Sequence, residues 1–270
     1  MVTTSDNDIH PPGHVMTTIG FGHLPPLDDL LQTEYGTLTL ESYTLVDPQN
    51  RTTELPMPKL DGKKIQTAAG VEVLSGDVGA CRVSLKKDSR QGTYQVNAKA
   101  KPLFFSMWID QKGRRRMKPI PMDNIDSPKK IKKSMQYIAS AKSCFTVGDW
   151  SQPPRRKDEL EILPISDLSK VKVGDEVEFE VIFMGKPLSA GPEGLFHMTG
   201  ISRAFGAADR TFLMSYLQNG RCRFRMPVAG QWLMQVKVES VVADVPELEA
   251  LKGKCQTVNY TSSITFHVVP

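Results

Sequence analysis

The sequence predicts an all-β protein built as two sandwich units in tandem, and three observations predict it. Val173, Val177, Phe179, Val181 and Phe183 recur at every second residue or nearly so, with Asp175, Glu178 and Glu180 between them. A period of two places one face in a core and the other in water, which describes an antiparallel strand. Cys222, Phe224 and Met226 then alternate with Arg221, Arg223 and Arg225, and Trp232, Met234, Val236 and Val238 resume the period beyond a corner at Pro227 and Gly230. Finally, turn-forming breaks separate such runs at roughly eight to fifteen residues, the rhythm of immunoglobulin-like or transthyretin-like sandwiches. One or two short helices complete the expected fold.

The elements follow in order. Residues 1–18 are polar and proline-containing and read as a flexible N-terminal arm. Gly36 to Val46 alternates as a strand and stops at Asp47-Pro48, while Lys59 to Gly70 is turn-rich. Cys81 to Leu85 and Gly92 to Ala100 read as two strands joined by the polar turn Lys86 to Arg90. Phe104, Ser106, Trp108 and Ile109 mark another, ending at Asp110 to Gly113. Ser127 and Pro128 have the N-cap and N1 chemistry of a helix start, and Ile131, Met135 and Ile138 would share one face of a helix reaching Lys142. Lys129, Lys130, Lys132 and Lys133 oppose the dipole of that helix. Ser143 to Val147 returns to strand. Gln152 to Lys157 is proline-rich and charged, so it reads as a linker between an N-terminal sandwich over 19–158 and a C-terminal sandwich over 159–270. In the second unit, Gly185-Lys186-Pro187 breaks the first strand. Pro246 to Leu251 is the other short helix, and Asn259 to Val269 is the closing strand.

The chain has 270 residues, 40% of them hydrophobic and 24% charged, enough for two ordinary globular cores. No run of eighteen apolar residues exists, so no membrane span is expected, and Met1 to Asp8 has neither the basic start nor the apolar stretch of a signal peptide. The net charge of +4 is unevenly spread: residues 1–158 hold 23 Lys and Arg against 17 Asp and Glu, and residues 159–270 hold 11 against 13. The excess clusters at Lys112 to Lys118, Lys129 to Lys133 and Arg155 to Lys157. Aromatic residues are not interleaved with these clusters, and no nucleic-acid-binding signature accompanies them, so nucleic acid is not the expected partner. Arg114, Arg115, Arg116, Lys129 and Lys130 are instead candidates for contact with an acidic protein or an anionic membrane surface. Cys81, Cys144, Cys222 and Cys255 show no C-x-x-C spacing. Three pairings are open, of which one bridge per unit respects the boundary; the alternative is four small hydrophobes within strands.

The sequence contains no Gly-x-Ser-x-Gly elbow, no phosphate-cradling Gly-x4-Gly-Lys loop and no dinucleotide fingerprint, so a non-enzymatic protein is expected. The histidines are the more informative residues, because imidazole nitrogen suits Ni²⁺, Co²⁺, Cu²⁺ and Zn²⁺. His10 and His14 are four apart, but Pro11-Pro12-Gly13 forbids a helix between them, so joint binding would need a turn. His23 lies between Gly20-Phe21-Gly22 and Leu24-Pro25-Pro26, a corner that would fix the backbone and preorganise a ligand. It is therefore the leading metal candidate, ahead of His14 and His10. His197 and His267 read as ordinary strand histidines, and the methionines of the second unit as core filling.

Gly174-Asp-Glu-Val-Glu-Phe-Glu-Val-Ile-Phe-Met-Gly-Lys-Pro-Leu188, followed by Asn219-Gly220, Met226-Pro227, Gly230 and Trp232, resembles the C-terminal half of a bacterial family of unknown mechanism. Phe21-Gly22-His23-Leu24-Pro25-Pro26, Gly92 to Val96 and Leu160 to Pro164 resemble further segments of that family in matching order. Its members are described as periplasmic components of cobalt or nickel uptake systems. The resemblance implies an extracytoplasmic binding protein that holds Ni²⁺ or Co²⁺ and serves a membrane transport component, with His23 in the matching motif. The alternative is a structural or docking β-sandwich protein working through its basic loops.

Overall fold

A computed structural model of the chain describes residues 1–22, 24–33, 36–190, 194–206 and 211–270. The strands of the first half are β1 Val2–Thr4, β2 Gly13–Ile19, β3 Gln32–Thr33, β4 Gly36–Thr37, β5 Leu40–Val46, β6 Thr52–Glu54, β7 Lys64–Gln66 and β8 Glu72–Leu74. They continue with β9 Cys81–Leu85, β10 Gly92–Ala100, β11 Leu103–Ile109, β12 Arg115–Lys118 and β13 Lys130–Val147. The second half supplies β14 Leu160–Pro164, β15 Glu176–Phe183, β16 Lys186–Pro187, β17 His197–Ile201, β18 Leu213–Tyr216, β19 Arg221–Arg225, β20 Gly230–Val241 and β21 Thr257–Val268. The described helical turns are 3-10, at Met122–Asn124 and Pro246–Leu251. The all-β class and its sandwich-like layering are thus as the alternation predicts. Among the described residues no helix is long and apolar enough to cross a membrane.

A ten-stranded sheet runs through both halves in the order β18-β17-β20-β21-β13-β10-β5-β6, with β11 paired to β13 and β12 to β11. The join is the parallel pairing of β13 with β21, from Met135 opposite Thr257 to Ser143 opposite Thr265. Successive side chains leave a strand on opposite faces. On one face of this sheet Cys144, Trp232, Met234, Val236, Tyr260, Ile264 and Phe266 pack with Val177, Phe179 and Val181 of β15 into the C-terminal core. On the other face Tyr94, Val96, Ala98, Phe145 and Val147 pack with Val2, Val15 and Ile19 of β1 and β2 into the N-terminal core. Each large apolar side chain so buried contributes about 1.5–3 kcal/mol.

The expected helix over 127–142 is corrected, because Lys130–Val147 is one 18-residue strand. Met135 and Ile138 lie on opposite faces of it, Met135 toward the open side and Ile138 against the C-terminal core. Their spacing of three residues reflects two separate environments and not one helical stripe.

The expected flexible arm over 1–18 is also corrected. β1, β2 and β9 form a sheet of their own, and Val2 and Val15 are fully buried. The polar residues that made this segment look loose are clamps to distant strands. Thr4 Oγ1 lies 2.8 Å from Ser143 Oγ, and Asn7 Nδ2 donates to the carbonyls of Leu168 at 2.9 Å and His267 at 3.0 Å. A buried polar group held this way costs little to bury.

All four cysteines are free thiols, so the pairing of one bridge per unit does not form. Burial pushes the thiols of Cys144 and Cys222 up to about 12. The charged segment around residue 158 is fastened down by one carboxylate. Glu161 accepts from the amides of Arg156 at 2.6 Å and Lys157 at 3.3 Å, and pairs at 3.2 Å with Nζ of Lys142 on β13 of the ten-stranded sheet.

Candidate functional site

Where β20, β21, β13 and β11 run side by side, their registers align Glu239, Asn259, Tyr137 and Leu103 in one row across the sheet. Lys237, Thr261 and Ala139 form the next row, and Gln235, Ser263 and Ala141 the one after. These residues occupy the face opposite the C-terminal core, because Val236, Val238 and Tyr260 point the other way into it. The N-terminal core covers only part of this face. The uncovered part is a cleft of about 540 Å³.

Its roof comes from the chain between β2 and β5, through Phe21, Gly22, Leu31 and Leu38. Gly22 has φ +142°, and a Cβ there would collide with the carboxylate of Asp28. The corner therefore requires glycine, which alone adopts such a conformation without strain. Arg203 Nε anchors the same corner by donating to the carbonyl of Pro25 at 2.9 Å. Leu103, Phe105, Pro119 and Met135 form a side wall, and a narrower recess of about 50 Å³ continues over Ala98, Ala100, Ala139 and Ala141.

Polar chemistry is concentrated on the floor and at the mouth. Burial raises the Tyr137 phenol above its ordinary value, and its hydrogen bond with the Thr261 side chain opposes that rise. At the mouth Glu239 is taken up by Lys133 at 3.3 Å, whereas Lys237 forms no ion pair among the described residues. The cleft can thus sequester an apolar body while an amide, a hydroxyl and an ammonium orient it. A volume in the range of about 300–1,000 Å³ with mainly apolar walls is the usual form of a small-molecule site.

The residues singled out from sequence fall in different places. His23 lies outside the described residues, and its neighbours Phe21 and Gly22 line the cleft. His10 is exposed in the β1–β2 connection, with Nε2 3.8 Å from Asp8 Oδ2. His14 is on β2, where its Nδ1 lies 3.5 Å from Arg82 Nη2. Among the described residues no three His, Cys, Asp or Glu side chains are grouped to hold a metal ion. His267 meets the Thr4 carbonyl at 2.7 Å and His197 packs edge-on to Tyr216, the strand roles expected of them.

The basic candidates gather on the three-stranded extension β12-β11-β13. Arg115 and Lys130 flank Ile109 in register, one on each side. Arg114 and Arg116 both donate to Asp110 Oδ2 at 3.0 Å. The Arg114 amide first, and then both guanidinium groups, hold the Asp110 carboxyl down at about 2. Lys129 precedes β13, its amide donating to the Ile109 carbonyl at 3.0 Å. Every residue of β12 is exposed, and arginine and lysine along such an edge discourage indiscriminate strand pairing.

Sequence reasoning missed the cleft itself. A signal was present, since Gln235, Lys237 and Glu239 alternate with the core residues Met234, Val236 and Val238. That alternation names a non-core face without naming the strands that lie beside it.

Comparison with solved structures finds a likeness to the native conformation of E. coli alpha-2-macroglobulin, at 11% identity and a TM-score of 0.18. The match covers 97% of this chain, which spans about a fifth (20%) of the length of that protein. No curated protein matches. A family model does match residues 1–240, nearly nine-tenths of the chain, and on that match this protein belongs to the family described as Domain of unknown function (DUF4198).

Proposed function

We propose that this protein works by binding and not by catalysis, with the cleft as its ligand site and the basic extension beside it as the surface that meets an acidic partner. The cleft carries this reading: about 540 Å³ of space with aromatic and aliphatic walls, and its orienting groups Tyr137, Gln235 and Lys237 at the floor and mouth. Proximity supports the second half, because Pro119, which immediately follows the basic strand β12, is itself a wall residue. The test is to fill the space. Gln235→Trp, at a half-buried floor position, is expected to weaken binding of the neutral dye Nile red by about tenfold or more, with circular dichroism and melting temperature unchanged. Equal dye binding by a folded variant would overturn the assignment.

A second reading is delivery of Ni²⁺ or Co²⁺ to a membrane uptake component outside the cytoplasm. The Asp8–His10 pair supports it, since it offers one oxygen and one imidazole nitrogen 3.8 Å apart. A transition ion takes further donors beyond such a pair, and His23 and His14 are the imidazoles nearest in sequence. In calorimetric titration with Ni²⁺, His10→Ala and His23→Ala are each expected to lose about tenfold or more in affinity, and wild-type binding to weaken as the imidazoles protonate. Equal weak heats from all three proteins would discard the reading.

A further inference from the structure

The chemistry of the cleft narrows what it takes, provided that it is the binding site proposed above. Its inner recess is narrow, about 50 Å³, and mixed in character, with Met1, Thr261 and Ser263 beside Leu31, Leu38 and the alanines. The main space of about 540 Å³ is bounded by Phe21, Leu31 and Leu38 of the roof and by Leu103, Phe105 and Met135 of the side wall, which leaves room for a slender apolar body lying along the sheet. Its mouth is electropositive. Lys237 has no carboxylate partner among the described residues, and Glu239, the acid on the same wall, is occupied by Lys133. Arg115 and Lys118 on the adjoining extension add to the positive field.

We propose that the cleft takes an amphipathic anion, its unbranched apolar chain along the wall of Leu103, Phe105 and Met135 and its carboxylate or phosphate at Lys237. The apolar chain supplies affinity by leaving water, and the ammonium fixes which end lies outward. Chain length and head charge therefore have separable effects.

The experiment compares decanoate, decyl phosphate and decyltrimethylammonium, each below its micelle-forming concentration, by calorimetry on the full chain at low salt. Wild type is expected to bind both anions about tenfold more tightly than the cation, because attraction to Lys237 becomes repulsion. Lys237→Glu is expected to reverse that order. From octanoate to dodecanoate the affinity is expected to rise about fourfold per methylene. Binding of the carboxylate alone assigns the head to a free fatty acid, and binding of the phosphate alone to a lysophospholipid. Equal affinities for all three ligands, lost together in Gln235→Trp, would overturn the anion preference and leave the cleft as a binding site. Equal affinities untouched by Gln235→Trp would overturn both claims. No binding by a wild type that still takes up Nile red would overturn the anion proposal alone.

Discussion

Glu161→Ala is expected to destabilise the fold by about 3–5 kcal/mol, among the largest effects of any single polar substitution in this chain. The Glu161 carboxylate is fully buried and the Lys142 side chain is 2% exposed, with 3.2 Å between them. Two charges so placed have lost their hydration, and their mutual attraction together with added hydrogen bonds offsets that loss. Removing Glu161 takes from the buried Lys142 ammonium its hydrogen-bonded counter-charge, leaving only the longer-range attraction of Asp158, and frees the amides of Arg156 and Lys157. Replacing both members, as Lys142→Met with Glu161→Leu, is expected to recover most of the loss, because no charge is then stranded. Denaturant unfolding of the wild type, both single variants and the double variant gives the coupling directly. A cost for Glu161→Ala below about 1 kcal/mol would show that the pair does not hold the segment around residue 158.

Trp232→Ala is expected to cost about 3–5 kcal/mol for a different reason. Trp232 is 0% exposed and is the third residue of β20, just beyond the Pro227–Gly230 corner. Its Nε1 donates to the carbonyl of Val228 at 3.2 Å, and its ring lies 5.6 Å from that of Phe205. Truncation removes the transfer energy of an indole, opens a cavity that neighbouring strands cannot close, and releases the corner. Trp232→Phe keeps most of the volume and loses the hydrogen bond together with the pyrrole part of the ring, so it is expected to cost about 1–2 kcal/mol. Unfolding midpoints of the two variants separate packing from hydrogen bonding. Equal costs would mean that the indole N–H dominates.

The strands that were readable in advance share one property, a core on one side and water on the other. β15 and β19 are the clearest, with Glu178 and Glu180 or Arg221, Arg223 and Arg225 outward and Val177, Phe179, Cys222 and Phe224 inward. β13 was misread because the part before Lys142 has the C-terminal core on one face and the cleft on the other, where Met135 and Tyr137 are apolar enough to erase the alternation. The order in the first eighteen residues was missed because Thr4 and Asn7 are buried there through bonds to residues more than a hundred positions away, Ser143 and His267. Local sequence carries no record of such partners. The cleft was hidden for the same reason, since its floor is drawn from four strands scattered between residues 103 and 261.

By itself the sequence determined that this chain is all β, where strands such as β9, β10 and β11 begin and end, and which residues of the second half form its core. Side-chain alternation and turn chemistry are local properties, and local properties can be read along a chain. Tertiary structure alone decided that β13 lies parallel to β21, so that one sheet serves two cores and leaves part of a face open between Phe21 and Lys237. The pairing of distant strands depends on which buried faces fit together, and that fit exists only once the chain has folded.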